Sequence, residues 1–337
     1  MKKRIIKLDG VGITEAASAV GKHEALGPMG DSFDAVDMSD TLGADTWEKA
    51  ESAMQKRAFE LLLRKRGMSV CDIGALYAGD LQNQCVGSSY GLLDFDVPYI
   101  GLYGACSTAA ESLMLSAMAV SAGQMDRCVC VTSSHYLAAE RQYRSPTEYG
   151  AQRAPTAQWT VTGAAAFCVE RASSVRISEV MPGIVVEKGI NDAANMGAAM
   201  APAAADTISA YFGESGKSPS DFDAIVTGDL GFEGGSILCD ILHAQGLDIR
   251  AQYNDCGVLI YDRIRQDKHA GGSGCGCSAV VLAAHFLGQL KRGKIKNMLF
   301  IGTGAMMSPS SIQQGLAIPA IAHLIRIECG GKDGQSV

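Results

Sequence analysis

Hydrophobic residues recur at three- and four-residue steps between positions 45 and 67, which is the spacing of one helix face. We predict a helix here that begins at Asp45, with Glu48 completing a capping box, and that ends at Gly67. The helix is therefore expected to bury one face. The apolar positions of that face are Trp47, Ala50, Met54, Ala58, Leu61 and Leu62.

Short apolar runs alternate along the chain with two helices that are apolar nearly all round. These helices are predicted over residues 107–122 and 277–290, and their composition is typical of helices buried at the centre of a protein. Alternating strands and helices predict parallel sheets covered by helices. The strand-like runs are 73–78, a short segment after Pro98, 128–131, 222–227 and 298–301.

The chain repeats itself at three places, in the same order and without gaps inside each match. We therefore predict two copies of one unit, residues 1–170 and 171–337, the second with an insertion around 245–268. Two such units, with a buried helix from each packed between their sheets, make an α/β fold with five αβαβα layers. The matching segments are 72–81 with 221–230, 104–109 with 274–279, and 123–127 with 293–297.

Composition and charge exclude several classes of protein. The formal charge is −7 and neither Lys nor Arg forms a long run, so no nucleic-acid partner is expected. The basic start of the chain resembles a signal peptide, but Asp9 interrupts its apolar stretch, and no apolar run reaches the ~18 residues of a spanning helix. The eleven cysteines are interpreted as reduced thiols, and the two Cys-x-Cys pairs as packed apolar side chains.

Cys106 stands out because it follows a Gly-Ala turn at the start of the first all-apolar helix. Free N–H groups and the positive end of the helix dipole stabilise a thiolate at such a place, so we expect its pKa to be lowered. A strand–turn–Cys–helix arrangement is how thiolases and ketoacyl synthases hold their acyl-carrying nucleophile. The sequence therefore predicts that Cys106 faces a ligand pocket.

Seven segments give the chain a specific resemblance to the stage V sporulation protein AD family, whose members have a thiolase-like fold. The resemblance implies that the chain binds dipicolinic acid (pyridine-2,6-dicarboxylate) and supports its uptake into the spore with other stage V sporulation membrane proteins. The segments are GPMGD (27–31), AGDLQNQ (78–84), GACST (104–108), TSSHY (132–136), TGDLG (227–231), HAGGSGCGCS (269–278) and GTGAMMS (302–308).

The same resemblance implies a location and an assembly. We expect the protein on the cytoplasmic side of the forespore, or peripheral on the spore inner membrane. A homodimer is expected from the fold, which usually pairs its N-terminal halves edge to edge. No cofactor is expected, and calcium is expected only as part of the ligand.

The groups that would make Cys106 catalytic are expected to be replaced by glycine. Condensation on a cysteine needs side chains that stabilise an oxyanion and move protons, usually two His, or His and Asn. In ketoacyl synthases of similar layout these come from two loops of the C-terminal half, where this chain has Gly228 and Gly272. Thiolases also use a second Cys in a C-terminal glycine-rich loop, and the loop around Gly304 contains none.

Other polar residues are candidates for the walls of the pocket. His135 closes a strand and His269 precedes Gly272 by three residues, so either is a substitute proton carrier or a loop histidine. Asp80 and Asp229 end repeat-related strands. They either form a wall of the pocket or are carboxylates that cap a loop or a helix. Arg144, in the long loop 133–158, is a candidate to bind a ligand carboxylate or to solvate a dimer interface.

Three hypotheses follow from these residues. The first is a non-catalytic protein with a thiolase-like fold that binds dipicolinic acid. The second is an active acyltransferase or condensing enzyme that uses Cys106 with His135 or His269. The third is a purely structural subunit whose surface docks membrane partners.

Overall fold

Strands and helices alternate along the chain in a computed structural model that describes residues 3–39, 41–143, 153–171 and 173–330. The strands are β1 Ile6–Lys7, β2 Val11–Val20, β3 Ala35–Val36, β4 Ala75–Gly79, β5 Tyr99–Gly101, β6 Arg127–Ser134, β7 Trp159–Thr160, β8 Gly163–Arg171, β9 Val175–Met181, β10 Ala224–Thr227, β11 Tyr253–Asp255, β12 Gly272–Ser273, β13 Asn297–Ala305 and β14 Ala320–Cys329. The helices are α1 Lys22–Ala25, α2 Trp47–Arg66, α3 Val86–Leu92, α4 Thr108–Ser121, α5 Tyr136–Tyr143, α6 Met196–Ser215, α7 Gly231–Ala244, α8 Cys256–Leu259, α9 Cys275–Val281, α10 Leu287–Lys291 and α11 Pro309–Gln313. A π-helical segment, Leu282–Phe286, joins α9 to α10.

The strand order repeats in the two halves of the sheet. One half has the order β5-β4-β6-β8-β2 and the other β11-β10-β13-β14-β9. In each half the first three strands are parallel and the last two pairings are antiparallel. The halves meet where Gly12 of β2 pairs with Arg176 of β9. The expected division after residue 170 falls at the end of β8 and stays a prediction, since β2 and β9 make the sheet continuous.

Helices form three layers around the two halves of the sheet. Helix α2 packs on β2, β6 and β8, and α6 packs on β13 and β14. Helix α4 contacts β4, β6 and β8 on one side and β13 and β14 on the other, with α9 beside it. Separate hydrophobic cores lie under α2, around α4 and α9, and under α6. The predicted five-layered αβαβα fold is confirmed.

Two details of the prediction were wrong. The N-cap of α2 is Thr46, whose side chain accepts a hydrogen bond from the Lys49 N–H at 3.3 Å, while Asp45 forms an ion pair with Lys49. The C-cap is Gly67 as expected, in the left-handed conformation with φ 64°. Within the expected insertion, β11 takes the sheet position that β5 takes in the first half, so part of that segment belongs to the repeat.

The two central helices both begin at the carboxyl ends of parallel strands. Close packing of α4 on β13 depends on Gly302, because a Cβ there would lie 2.5 Å from the Ala110 Cβ. Most of the buried residues of α4 are Ala, Ser or Thr, so helix and sheet can approach closely. This layering brings the N-terminus of α4, with Cys106 just before it, next to the N-terminus of α9.

Candidate functional site

Cys106 lies in a tight 3₁₀ turn, Ala105–Ser107, that leads into α4. Ala105 has φ 51°, a left-handed conformation that costs a non-glycine residue about 1 kcal/mol. Two bonds to Gly104 hold the turn: its carbonyl accepts from the Ser107 N–H at 3.0 Å, and its N–H donates to Thr108 Oγ1 at 3.0 Å. The backbone is thus bent to present the Cys106 side chain, which is 6% exposed.

A chain of hydrogen bonds runs from the Cys106 thiol to a buried carboxylate. The Cys106 Sγ lies 3.8 Å from Ser273 Oγ, and Ser273 donates its proton to Asp229 Oδ2 at 2.9 Å. Since a hydroxyl has one proton, the Ser273 oxygen is left as the acceptor for the thiol proton. The arrangement holds Cys106 as a thiol whose proton points to Ser273.

Asp229 is fully buried and ties three segments of the C-terminal half together. Besides Ser273, it accepts the Gly274 N–H at 2.9 Å and the Thr303 hydroxyl at 2.7 Å. Gly274 precedes α9 and Thr303 lies in β13, so the carboxylate fixes the start of a central helix against a strand. Burial raises the pKa of Asp229, and these donors oppose the rise.

The pKa of the Cys106 thiol is raised well above its ordinary value, first by burial and then by the charge of Asp229. The expectation of a lowered pKa was therefore wrong. A helix N-terminus contributes only a partial positive charge. Burial and the neighbouring carboxylate destabilise the thiolate more than this partial charge stabilises it.

The Cys106 side chain lines a cavity of about 370 Å³. The lining of this cavity combines hydroxyl and amide groups with apolar side chains. Its described lining contains no His, Asn, Lys or Arg side chain. The lining residues are Leu81, Tyr103, Ala105, Cys106, Ala139, Glu140, Gln142, Tyr143, Ala157, Gln158, Thr160, Ala193, Ala194, Met196, Ser273, Ala305, Met307, Pro309, Ile312 and Gln313.

Helix α5 forms one wall of the cavity and is fixed by polar contacts to the loop after β4. Tyr143 donates to the Leu81 carbonyl, and its hydroxyl lies 2.7 Å from that of Tyr103. Gln142 donates to the same carbonyl at 2.9 Å and accepts the Asn83 N–H at 3.0 Å. These contacts place two hydroxyls and an amide at the cavity, whose lining also includes the Glu140 carboxyl.

Gln158 also lines the cavity. Its amide nitrogen donates to the carbonyls of Asp229 at 2.5 Å and Gly272 at 3.0 Å. Its side-chain oxygen is buried and accepts no hydrogen bond from any residue that the structure describes. Gln158 therefore ties the segment just before β7 to the backbone at Asp229 and Gly272.

Gly228 and Gly272, the expected replacements of catalytic groups, do not face the sulfur. A Cβ on Gly228 would lie 3.2 Å from the Ser278 Cβ, and one on Gly272 would lie 2.8 Å from Ile260 Cγ2. Gly272 and Ser273 are consecutive residues of β12, so they point to opposite faces. The residues that follow the two glycines, Asp229 and Ser273, are the ones that reach the thiol.

The structure places the two candidate histidines away from the cavity lining. His135 is buried at the start of α5, where its Nδ1 lies 3.4 Å from the Ala138 N–H. The half-buried His269 has its Nε2 3.4 Å from an Asp267 carboxylate oxygen. Gly304 lies under the Cys106 turn, since a Cβ there would meet the Gly104 carbonyl oxygen at 2.3 Å. Arg144 lies outside the described residues.

Asp80 caps the loop after β4 and lies beside a second buried carboxyl. It accepts the N–H groups of Gln82 at 2.8 Å and Ser88 at 2.7 Å. Burial and then the charge of Asp80 raise the pKa of Glu51 to about 8. Glu51 therefore keeps its proton at neutral pH, and it accepts a hydrogen bond from the Gln82 side-chain amide at 2.8 Å.

Sequence reasoning missed Ser273, Gln158, Gln142 and Tyr103 as site residues. Ser273 lies within the family motif at 269–278, but only the register of β12 against β7 decides that Ser273, and not Gly272, faces the cavity. Nothing local marks Gln158 or Gln142. No group of three His, Cys, Asp or Glu side chains suited to a metal ion occurs in the part of the chain that the structure describes.

Known structures share this architecture. OleA of Xanthomonas campestris covers 96% of the chain and 98% of its own length with a TM-score of 0.62 and 16% identity. The 3-oxoacyl-(acyl carrier protein) synthase III, FabH, of Xanthomonas oryzae pv. oryzae covers 95% of the chain and 100% of its own length, with a TM-score of 0.60 and 15% identity. The layered fold and the Cys106 turn thus define a protein of the thiolase-like class.

The sequence narrows this class to one family. The profile of stage V sporulation protein AD matches residues 2–328. Stage V sporulation protein AD of Bacillus subtilis (strain 168) is 40% identical over 320 residues, which is 95% of this chain and 94% of the relative. The chain belongs to the stage V sporulation protein AD family, as its motifs predicted.

Proposed function

We propose that the protein binds dipicolinic acid in the Cys106 cavity without transforming it, and that it supports uptake of this acid into the developing spore. A cavity of about 370 Å³ lies at the small end of the range for small-molecule sites, which suits a single-ring ligand. Membership of a sporulation family supports the proposed role in spore formation. The chemistry of the cavity supports a small carboxylate ligand.

The observation that carries the proposal is the thiol–Ser273–Asp229 chain. A condensing cysteine must become a thiolate and needs neighbours that receive its proton and stabilise an oxyanion. Here burial and Asp229 keep the proton on the Cys106 sulfur. With neither imidazole nor Asn amide in the described lining, the site is suited to holding a ligand rather than to bond making.

The polar groups of the cavity suit carboxylates that bring little net charge. Among its lining residues are the hydroxyls of Tyr103, Thr160 and Ser273 and the amide of Gln142. The described lining offers no cationic side chain and includes the Glu140 carboxyl. The calcium chelate of dipicolinate is neutral, so we propose that calcium enters with the ligand rather than as a resident cofactor.

Isothermal calorimetry with dipicolinate, alone and with Ca²⁺, tests the proposal. The Ala194→Trp variant fills the cavity and is expected to abolish the heat of binding. Ala122→Trp adds the same side chain at an exposed position beyond the far end of α4 and is expected to leave binding unchanged. Wild-type protein that gives no heat at millimolar ligand, or equal binding by both variants, would remove the proposal.

One observation favours the alternative, an active acyltransferase or condensing enzyme that uses Cys106. The Ala105 backbone, with φ 51°, is held in a conformation that presents the sulfur to a cavity, as a nucleophile requires. The two proposals differ in the ionisation of the thiol. The pH dependence of Cys106 alkylation therefore separates them.

We further propose that the protein works as a homodimer beside other stage V sporulation membrane proteins, at the cytoplasmic side of the forespore or on the spore inner membrane. Among the described strands, β5 pairs with β4 alone and leaves a free edge, where Tyr99 and Ile100 are 39% and 38% exposed. Such an edge is a template for a second copy. Sedimentation equilibrium that finds only single chains would exclude the dimer.

Among the described residues, none of the helices is long and apolar enough to cross a bilayer.

A further inference from the structure

A buried lysine lies against the indole ring of Trp159 in β7. Lys268 is 2% exposed, and its Nζ lies 2.9 Å from the centroid of that ring. Tyr136 is stacked on the same ring, with the centroids 3.7 Å apart and the planes at 4°. Since Tyr136 occupies one face of the indole, Lys268 lies on the other. Neither Lys268 nor Trp159 belongs to the lining of the Cys106 cavity.

The Lys268 amine has aromatic neighbours but forms no hydrogen bond or ion pair with any residue that the structure describes. The charged and titratable groups that face it are Glu24, Tyr261, Arg153 and Asp267. A buried ammonium without a hydrogen-bonded partner is costly. Burial, and then the charge of Arg153, lower the pKa of Lys268 to about 7. A large fraction of Lys268 is therefore a neutral amine at neutral pH.

Three buried N–H groups beside the same indole lack an acceptor in the described part of the chain. They are Nε and Nη1 of Arg153 and Nε1 of Trp159. The Arg153 guanidinium lies over the ring, with Cζ 4.7 Å from its centroid, and Nη2 donates to the Asp267 carbonyl. Buried donors are nearly always hydrogen-bonded in proteins. Unpaired donors next to two basic side chains are suited to an anion.

One buried acceptor near the amine lacks a donor. Glu24 of α1 is fully buried, and its Oε1 accepts the Tyr261 hydroxyl and the Thr162 N–H, the latter at 3.0 Å. Its Oε2 accepts no hydrogen bond from a described residue. Burial raises the pKa of Glu24, and the charge of Lys268 opposes this rise, so the two side chains interact. A group that completes the cluster therefore combines an anion with one donor.

We propose that carbon dioxide modifies Lys268 to a carbamate. The lone pair of Nζ attacks the carbon of CO₂ and forms a C–N bond. One C–O π bond breaks to give a carboxylate oxygen, and the nitrogen releases one proton to water. A lysine becomes a nucleophile when it is desolvated beside another cation, as Lys268 is beside Arg153. The step consumes no oxidant or reductant.

A carbamate matches the unpaired groups of the cluster. Its oxygens can accept from Arg153 and from Trp159 Nε1, and the hydrogen left on nitrogen can be donated to Glu24 Oε2. A simple anion such as chloride has no donor for Glu24. The 2% exposure of Lys268 excludes a modifying enzyme, whereas CO₂ is small and uncharged. The carbamate also attracts Arg153, which the unmodified ammonium repels.

¹³C NMR of the full-length protein in labelled bicarbonate tests the modification. At about pH 8, above the pKa of Lys268, one resonance is expected in the carbamate region. Lys268→Met removes the amine, and Lys268→Arg keeps the cation without a nucleophilic amine, so both are expected to lose the resonance. Lys294→Met is the control at an exposed position and is expected to keep it. Below about pH 6 the resonance is expected to disappear, because the amine is then protonated.

Two further variants test the neighbours that would hold the carbamate. Arg153→Gln removes a charged donor and is expected to raise the bicarbonate concentration for half modification about tenfold. Trp159→Phe keeps an aromatic ring but removes the Nε1 donor, and an increase of about fivefold is expected. Unchanged half-modification in both variants would show that these donors do not bind a carbamate and would overturn the assignment.

Thermal unfolding separates loss of the modification from loss of the fold. Bicarbonate is expected to raise the Tm of the wild-type protein and not that of Lys268→Met, because only the folded chain holds the carbamate. Wild-type protein without the resonance in saturating bicarbonate would overturn the proposal. A resonance that persists in folded Lys268→Met would do the same. None of these measurements uses a ligand of the Cys106 cavity, so the inference and the proposed function fail independently.

Discussion

Replacing Gly304 with alanine is expected to destabilise the protein by about 3 kcal/mol and to weaken ligand binding. The added Cβ would lie 2.3 Å from the Gly104 carbonyl oxygen and 3.0 Å from the Ser107 nitrogen. Both are backbone atoms of the turn that holds Cys106, so neither can move like the end of a flexible side chain. The turn must shift, and the thiol moves with it. Urea unfolding measures the loss of stability, and calorimetry measures the loss of affinity.

Gly213 provides the matched control because it lies inside α6, where an added Cβ would have no described heavy atom within 4 Å. Alanine there is expected to stabilise the protein by about 0.5–1 kcal/mol, since glycine is a poor helix former. A Gly304→Ala variant that unfolds at the wild-type urea concentration would show that the turn is not tightly packed against β13. Packing against β13 would then not be what fixes the position of Cys106.

Replacing Asp229 with alanine is expected to cost about 3–5 kcal/mol of folding free energy. The change leaves the Ser273 and Thr303 hydroxyls and the Gly274 N–H buried without their acceptor. It also frees the start of α9. The Asp229→Asn variant keeps the shape of the side chain but supplies one acceptor oxygen for these donors, so a smaller loss is expected.

Asp240→Ala is the control for this variant, because Asp240 is 73% exposed and its ion pair with Arg250 lies on the surface. Its removal is expected to change stability by less than about 1 kcal/mol. Thermal and urea unfolding of the three variants give the comparison. If Asp229→Ala and Asp240→Ala unfold alike, the buried carboxylate does not hold the site together.

The fold could be predicted because its determinants are local and occur twice. Each signal involves only residues that are close in sequence. These signals are the apolar positions of α2 and α4 and the repeated segments. Their order then restricts the topology to layered sheets and helices. The cap of α2 was misplaced by one residue because Asp45 and Thr46 are both good caps, and only the backbone conformation of Thr46 decides between them.

The position of Cys106 could be predicted, but its chemistry could not. The turn before α4 is local, so the sequence places the sulfur at a helix start. Its pKa depends on Asp229 and Ser273, which are distant in sequence and contact the sulfur only through packing of the two halves. The register of β12 decides that Ser273, and not Gly272, faces the cavity. That register is set by pairing with β7, which no local pattern shows.

The pH dependence of Cys106 alkylation is the most direct test of the central claim, that the site holds a protonated thiol. Mass spectrometry of protein treated with iodoacetamide reports Cys106 and the exposed Cys71 in the same sample. Limited access slows the reaction of Cys106 at every pH but does not move the midpoint of its profile. We expect the rate at Cys106 to rise only above pH 9, because its pKa is raised, and the midpoint to fall in Asp229→Asn. A rate that has already reached its plateau below about pH 7 would show a thiolate and contradict the account.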